Sequence, residues 1–190
     1  VEAIVRAIET GRFDYVNLHW YFVNEFTWPA VQAATRQDMG VFIISPNDKG
    51  GKLYEAPDKL RALCAPLTPM QFNDLFCLSR EAVHTLSIGA ARPSDFDEHV
   101  AALQWFDQRA EQSSAIAGRL RSELERMLGA DWCARWWHGL PAWTDVPGHV
   151  NVHEILRLWN YARQLNKHTY HKKNNKKNNK SNHYNPNPNP

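Results

Sequence analysis

Between residues 13 and 108, short apolar runs alternate with helical segments, and this alternation limits the possible folds more than any other feature of the chain. Phe13–Phe22 (FDYVNLHWYF) is rich in aromatic and β-branched residues and predicts a strand. Pro29–Gln37 predicts a helix opened by Trp28-Pro29, and Asp38, Met39 and Gly40 turn the chain. Val41–Ser45 (VFIIS) has the pattern of a strand buried on both faces. Pro46–Tyr54 (PNDKGGKLY) is a glycine-bearing loop, and Pro57–Leu63 and Pro69–Leu78 are helical. Val83–Ile88 predicts a third buried strand. Pro93–Gln108 then predicts a helix with Ser94 and Asp95 near its start and Val100, Leu103 and Phe106 turned inward.

Strand, helix, strand, helix, strand, helix implies parallel strands joined by right-handed crossovers. Three such strands leave both sheet edges open, so they belong either to a doubly wound sheet or to the last part of a closed barrel. The first residues favour the barrel. Val1, Ile4, Val5 and Ile8 recur on one helical face with no capping residue before them, and Gly11 is placed to end that helix. The expectation is that sequence precedes Val1.

The third strand runs into LSIGAARPSDFDEH (86–99). Gly89 and Ala90 leave room for a group to approach the backbone, the helix starting near Pro93 offers unpaired N–H groups, and Arg92 adds a full positive charge. This combination suits a phosphate. An ordinary tight strand-to-helix turn also uses Gly and Pro, so both readings stand at this point. The loop PNDKGGK adds Lys49 and Lys52 after the neighbouring strand, where lysines are also at home simply as solvated residues.

Charge divides the chain in two. Residues 1–166 carry 16 Lys+Arg against all 20 Asp+Glu, a formal −4, whereas residues 167–190 carry six Lys and no acid. An acidic body argues against a nucleic-acid-binding fold. The segment HTYHKKNNKKNNKSNHYNPNPNP has no means of building a core and is expected to be disordered. The body prefers Arg to Lys by 13 to 3, and the abrupt change to residues with A- and C-rich codons predicts a frame-shift or read-through artefact. Cys64, Cys77 and Cys133 are odd in number and form no CxxC pair, and neither a signal peptide nor a long apolar span accompanies them. The expected setting is reduced and cytoplasmic, without a membrane partner. Oligomeric state is not legible.

Other candidates have plainer explanations. His149 and His153 have metal-ligand spacing, but Pro147-Gly148 puts His149 in a loop rather than on the helix. Asp14 and His19 read as a strand end and a core histidine, and Cys64 and Cys77 as buried thiols. Five of the eight tryptophans fall within 132–159, where the contiguity of Ile155, Leu156, Leu158 and Trp159 predicts a packed rather than an exposed helix.

Three motifs in this order resemble the aldo/keto reductase family: NLHW (17–20), IISPNDKGGKL (43–53) and SIGAARPSDFDEHVAAL (87–103). The likeness spans roughly residues 1–110, and WCARWWHGLPAWTDVPGHVNVHEILRLWNYAR (132–163) resembles the C-terminal extension of a bacterial branch. The resemblance implies an α/β fold, the C-terminal portion of a (β/α)8 TIM barrel over 1–110, then a helical Trp-rich extension over 111–166 and the tail over 167–190. It implies NADP or NAD as cofactor and hydride transfer to or from a small carbonyl or alcohol. Carried over by position, Asn17 would bond the nicotinamide amide and Trp20 stack on its ring. Ser45, Pro46 and Asn47 would line the pyrophosphate, Gly89, Ala90 and Arg92 the adenosine phosphate, and Glu98 and His99 the adenine. Trp20 stands where the family usually has tyrosine. Asp95 stands where a basic residue often meets the 2′-phosphate, which leaves NADP against NAD open. The extension has no ferredoxin-like cysteine run, so no iron–sulfur cluster is implied. The family's Tyr, Lys, Asp and His tetrad comes from the first four strands, so no catalytic residue is assigned here and no metal is expected. The competing expectations are an inactive fragment, a non-enzymatic nucleotide-binding or interaction module, and another phosphate-binding barrel enzyme such as an aldolase. The lack of lysine inside a predicted strand weakens the last.

Overall fold

The computed structural model describes residues 1–47, 52–90 and 92–165. The 167–190 tail, Lys49 with the two glycines of the PNDKGGK loop, and Ala91 lie outside the described residues. The chain divides into two compact units, Val1–Arg121 and Ser122–Pro190.

The first unit is a mixed α/β structure. Its elements are α1 (Glu2–Ile8), β1 (Tyr15–Leu18), α2 (Trp28–Arg36), β2 (Gly40–Ile44), α3 (Asp58–Cys64), α4 (Pro69–Leu78), β3 (Thr85–Ser87) and α5 (Pro93–Ala102), followed by α6 (Arg109–Leu128), within which the unit boundary falls. The strands form one parallel sheet in the order β1-β2-β3, with Val16 opposite Val41 and Ile43 opposite Leu86. Consecutive right-handed crossovers that advance in one direction put every connecting helix on the same sheet face. Burial follows that rule. Leu18, Val41 and Ile43 point into the core, while Tyr15 and Phe42 meet at 5.3 Å between ring centroids on the bare face, both exposed. VFIIS is therefore buried on one face and not on both.

The predicted first strand is cut short. Pairing ends at Leu18, and Tyr21 and Asn24 close a tight turn that carries the aromatic residues into the helical layer. Trp20 is 2% exposed, sandwiched between Trp28 at 4.9 Å and Phe76 at 5.2 Å. Phe22 adds edge contacts to Phe72 and Phe76. Aromatic burial of this size outweighs a few ladder hydrogen bonds at a sheet end.

Helix α4 is the centre of the unit. Thr68 and Gln71 close a capping box at its start, and Pro69 takes the first helical position, where its missing N–H costs nothing. At its end the Leu78 carbonyl accepts from Arg109 Nε at 2.9 Å, and Arg119 of α6 similarly serves Leu63 and Ala65 after α3. Guanidinium groups thus satisfy carbonyls that helix ends leave orphaned. Thr68→Ala should lower stability by about 1 kcal/mol, measured as a urea midpoint shift with unchanged slope.

Helix α5 departs most from expectation. Its regular turns stop at Ala102, and Leu103–Gln108 continues as a 3-10 segment. The buried residues are Asp95, His99 and Ala102, whereas Val100 is 64% exposed and Phe96, Leu103 and Phe106 also face outward. The polar stripe of this helix turns inward because α4 presents polar side chains to it, as described below. The predicted third strand is likewise reduced to Thr85–Ser87 and is only half-buried. Val83 is buried in the preceding turn, and the His84 ring takes the Val41 N–H at 3.0 Å.

The second unit contains α7 (Ala130–Arg135) and α8 (Val152–Gln164). Trp132 and Trp159 meet edge to face at 6.0 Å, and Trp132 Nε1 donates to Asn160 Oδ1 at 2.9 Å. Ile155 and Leu158 remain more than half exposed, so α8 is not packed all round as its contiguous apolar residues predict. His149 sits in a 3-10 turn at φ +53° and His153 on α8, so the two do not share a helix, and no metal-binding cluster occurs among the described residues.

Candidate functional site

The loops that follow β2 and β3 lie side by side: the Ser45 N–H donates to the Ser87 carbonyl at 3.1 Å, and Ser45 itself turns through φ +54°. From this crossing the chain enters Pro46 and Asn47, both fully buried. Two consecutive residues of α4 receive them. Asn73 Nδ2 donates to the Pro46 carbonyl at 2.9 Å, and Asp74 lies beside Asn47 and His99.

Asp74 Oδ2 is 2.5 Å from His99 Nδ1, and Asn47 Nδ2 is 3.0 Å from His99 Nε2 and 3.5 Å from Nδ1. All three side chains are at least nine-tenths buried. The paired Asn47 distances carry geometric information. A donor in the ring plane on the Nε2 lone pair would lie much farther from Nδ1, so the amide sits over the imidazole face. Two oxygens of the cluster, Asn47 Oδ1 and Asp74 Oδ1, have no hydrogen-bond partner among the described residues. Burial pushes the Asp74 carboxyl above its ordinary value, against the hydrogen bond and charge of His99. Burial pulls His99 down, but the Asp74 hydrogen bond and charge, with Glu98 and Asp95, reverse this and leave it raised. Both shifts favour the protonated side of the pair. Among the described residues, His99 meets Asp74 at Nδ1 and the Asn47 amide over its ring.

A groove of about 350 Å³ is lined by Tyr54, Arg61, Thr68, Pro69, Arg92 and Glu98, among others. Arg92 precedes Pro93 at the first turn of α5, and its N–H donates to Asp95 Oδ2 at 2.9 Å. Its Nε and Nη2 also reach Asp95 Oδ1 at 3.3 and 3.1 Å. Asp95 is thereby consumed as a helix-start acceptor and as the counter-ion of Arg92. A carboxylate expected to oppose a phosphate instead holds the arginine in place.

Arg92 and Glu98 line the groove, with Asn47 and His99 in the buried cluster reached through the same α5 turns. Ser45 and Pro46 occupy the adjoining crossing, and Gly89 and Ala90 are exposed after β3. Asn17 lies elsewhere. It lines a second groove of about 410 Å³ with α1 and residues 12–16. Trp20 is locked between two rings and offers no face to a nicotinamide, a correction of the role carried over to it. Asp14 and His19 form no relay: His19 Nδ1 donates to the Ile44 carbonyl at 3.1 Å. Cys64 and Cys77 are buried thiols, with Cys64 pushed up to about 12 by burial and Cys77 raised by burial and then by Asp74.

Sequence reasoning passed over Asp74, Asn73, Arg61 and Tyr54. The signal for the first two was present: Asn-Asp adjacent in the middle of the apolar helix PMQFNDLFCL, where a buried polar pair demands partners. Arg61 and Tyr54 gave no local signal, because only folding brings them to Arg92.

No helix among the described residues is long and apolar enough to cross a membrane. No family model, curated protein or solved structure matches the chain.

Proposed function

We propose that this chain is the cofactor-holding part of an NAD(P)H-dependent oxidoreductase of the aldo/keto reductase type, its first unit belonging to a (β/α)8 barrel. The observation that carries the reading is the convergence of residues drawn from separate motifs. Leu53 from the second and Arg92 and Glu98 from the third line one groove at the start of α5, and Asn47 and His99 from the same two motifs meet in the buried cluster. A helix N-terminus with an adjacent arginine favours a phosphate group, and about 350 Å³ lies at the lower end of the range for small-molecule sites. The barrel is supported by the one-sided sheet, by a β1 and a β3 that each lack a second neighbour among the described residues, and by exposed apolar residues at both flanks. These are Ile4 and Phe13 beside β1, and Phe96, Val100 and Leu103 after β3. A ring of further strand–helix units covers such flanks.

When bound, a nicotinamide cofactor supplies the hydride, and a small carbonyl or alcohol is its partner. The residues of this chain bind and orient. Arg92, held by Asp95, meets phosphate, and Glu98 accepts hydrogen bonds from the nucleoside. The tetrad that would tune a tyrosine proton donor is not assigned to any residue of the 190, so the chain by itself turns nothing over. The test is titration with NADPH and NADH, followed by nucleotide fluorescence. Both wild type and Arg92→Ala are measured, and the variant is expected to bind about tenfold more weakly, the worth of one charge-assisted hydrogen bond. Addition of an aldehyde should leave the NADPH absorbance constant. Equal affinity in the two proteins overturns the site, and steady NADPH consumption overturns the inactivity.

A second reading, a nucleotide-binding or interaction module without hydride chemistry, is favoured by one observation, the burial of Trp20. With that ring in the core, the groove holds a phosphate-bearing ligand without Trp20 as its stacking platform.

A further inference from the structure

We propose that Asp74, His99 and Asn47 form a protonation latch: Asp74 fixes the imidazole through Nδ1–H, and the charge of the ring decides which end of the Asn47 amide faces it. The geometry has two parts. First, Asp74 Oδ2 lies 2.5 Å from Nδ1, and against the ionised carboxylate that nitrogen is the donor, so ring titration then occurs at Nε2. Second, Asn47 lies over the ring with its NH2 end toward it, while its Oδ1 is buried and has no hydrogen-bond partner among the described residues. An N–H over the ring face suits a neutral imidazole. It opposes an imidazolium, whose face attracts oxygen. Rotation of the Asn47 amide by half a turn exchanges the two ends, bringing the orphaned oxygen to the charged ring and taking the NH2 away from Asp74, which it also hydrogen-bonds.

The surrounding charges set where this happens. Asp74 on α4 faces Nδ1, Asp95 and Glu98 act from α5 itself, and Arg92 is taken up by Asp95. Cys77 on α4 also sees Asp74, and its raised thiol stays neutral. The net effect raises His99 above its ordinary 6.5, which brings the step toward neutral pH. Asn47 is joined through Pro46 to Asn73 and through Ser45 to Ser87. The latch therefore acts at the base of the loop after β2. The consequence for a phosphate-bearing ligand in the groove lined by Arg92 and Glu98 rests on the nucleotide reading, but the latch itself does not.

The experiment is a pH titration of the full chain by NMR, following the His99 ring and the Asn47 side-chain amide, in wild type and in the near-isosteric Asp74→Asn. The expected result is a wild-type His99 midpoint above 6.5, an Asn47 amide shift with the same midpoint, and a midpoint below 6.5 in the variant. A wild-type midpoint at or below 6.5, or an Asn47 amide that does not follow His99, overturns the latch, and the wild-type curve decides this even if the variant does not fold. NADPH affinity is then measured on both sides of the midpoint. A change in wild type that Asp74→Asn removes carries the latch to the ligand. Absence of NADPH binding at every pH refutes the nucleotide reading and leaves the titration to judge the latch alone.

Discussion

Replacing Trp20 with alanine should lower the unfolding free energy by about 3–5 kcal/mol, the usual cost of emptying a large aromatic site in a packed core. The ring lies between Trp28 and Phe76, is 2% exposed, and sits within the main apolar cluster with Leu18, Val31 and Leu75. A cavity there cannot collapse easily, because Trp28 of α2 and Phe76 of α4 flank it. The same substitution separates two accounts of the residue. A ring that stacks on a nicotinamide would lose ligand affinity on truncation while stability hardly moved. A ring that is core loses stability first. Urea denaturation gives the answer, with Trp20→Phe as the milder variant if alanine prevents folding. A loss below about 1 kcal/mol for alanine would rule out the aromatic sandwich. The predicted loss is large against a typical total stability of about 5–15 kcal/mol.

The second large effect is expected at His99. In His99→Leu the Asp74 carboxylate stays buried against α5 with its best partner gone. Breaking a buried pair from one side costs about 3–5 kcal/mol. The double variant Asp74→Leu with His99→Leu removes the stranded charge as well and should recover much of that loss, so the two changes are far from additive. The pair also gives stability a pH dependence whose sign is fixed. His99 is raised in the folded chain above 6.5, so its contribution is fully present below 6.5 and is lost as pH rises through the folded value. Asp74 is raised above 3.8 by burial, so here too the folded state binds the proton more tightly and the contribution falls as pH rises. Urea midpoints should therefore drop between about pH 6 and 8 in wild type, and the double variant should flatten that drop. A midpoint that rises over this range would show that the pair does not hold its proton in the folded chain.

What was legible along the chain followed from local chemistry. Helix α4 has the bounds predicted for it, Pro69–Leu78, because proline and a capping box mark its start and an apolar run continues from them. Gly11 adopts φ +63° after α1, a conformation that costs glycine nothing. His149 stands off α8 because Pro147-Gly148 precede it. The parallel order of the three strands follows from their alternation with helices. For the candidate site, Arg92 and Glu98 at the groove and Asn47 and His99 in the buried cluster all stand in motifs the sequence displays.

Facing direction is another matter. Helix α5 carries two stripes, Asp95–His99–Ala102 and Phe96–Val100–Leu103, and hydropathy selects the second as the inner one. The fold selects the first. Periodicity records that a helix has two unlike faces, but which face is buried depends on what stands opposite, and opposite α5 stands Asp74. Trp20 follows the same logic, because a turn at Tyr21–Asn24, invisible in a run of strand-forming residues, swings its ring from the sheet into the helical layer. By itself, then, the amino-acid order determined where helices and strands form, since capping, turn chemistry and apolar periodicity act within a few residues. Only the tertiary structure decided which side chains meet, since the partners of His99 are 25 and 52 residues away along the chain and no local rule reaches that far.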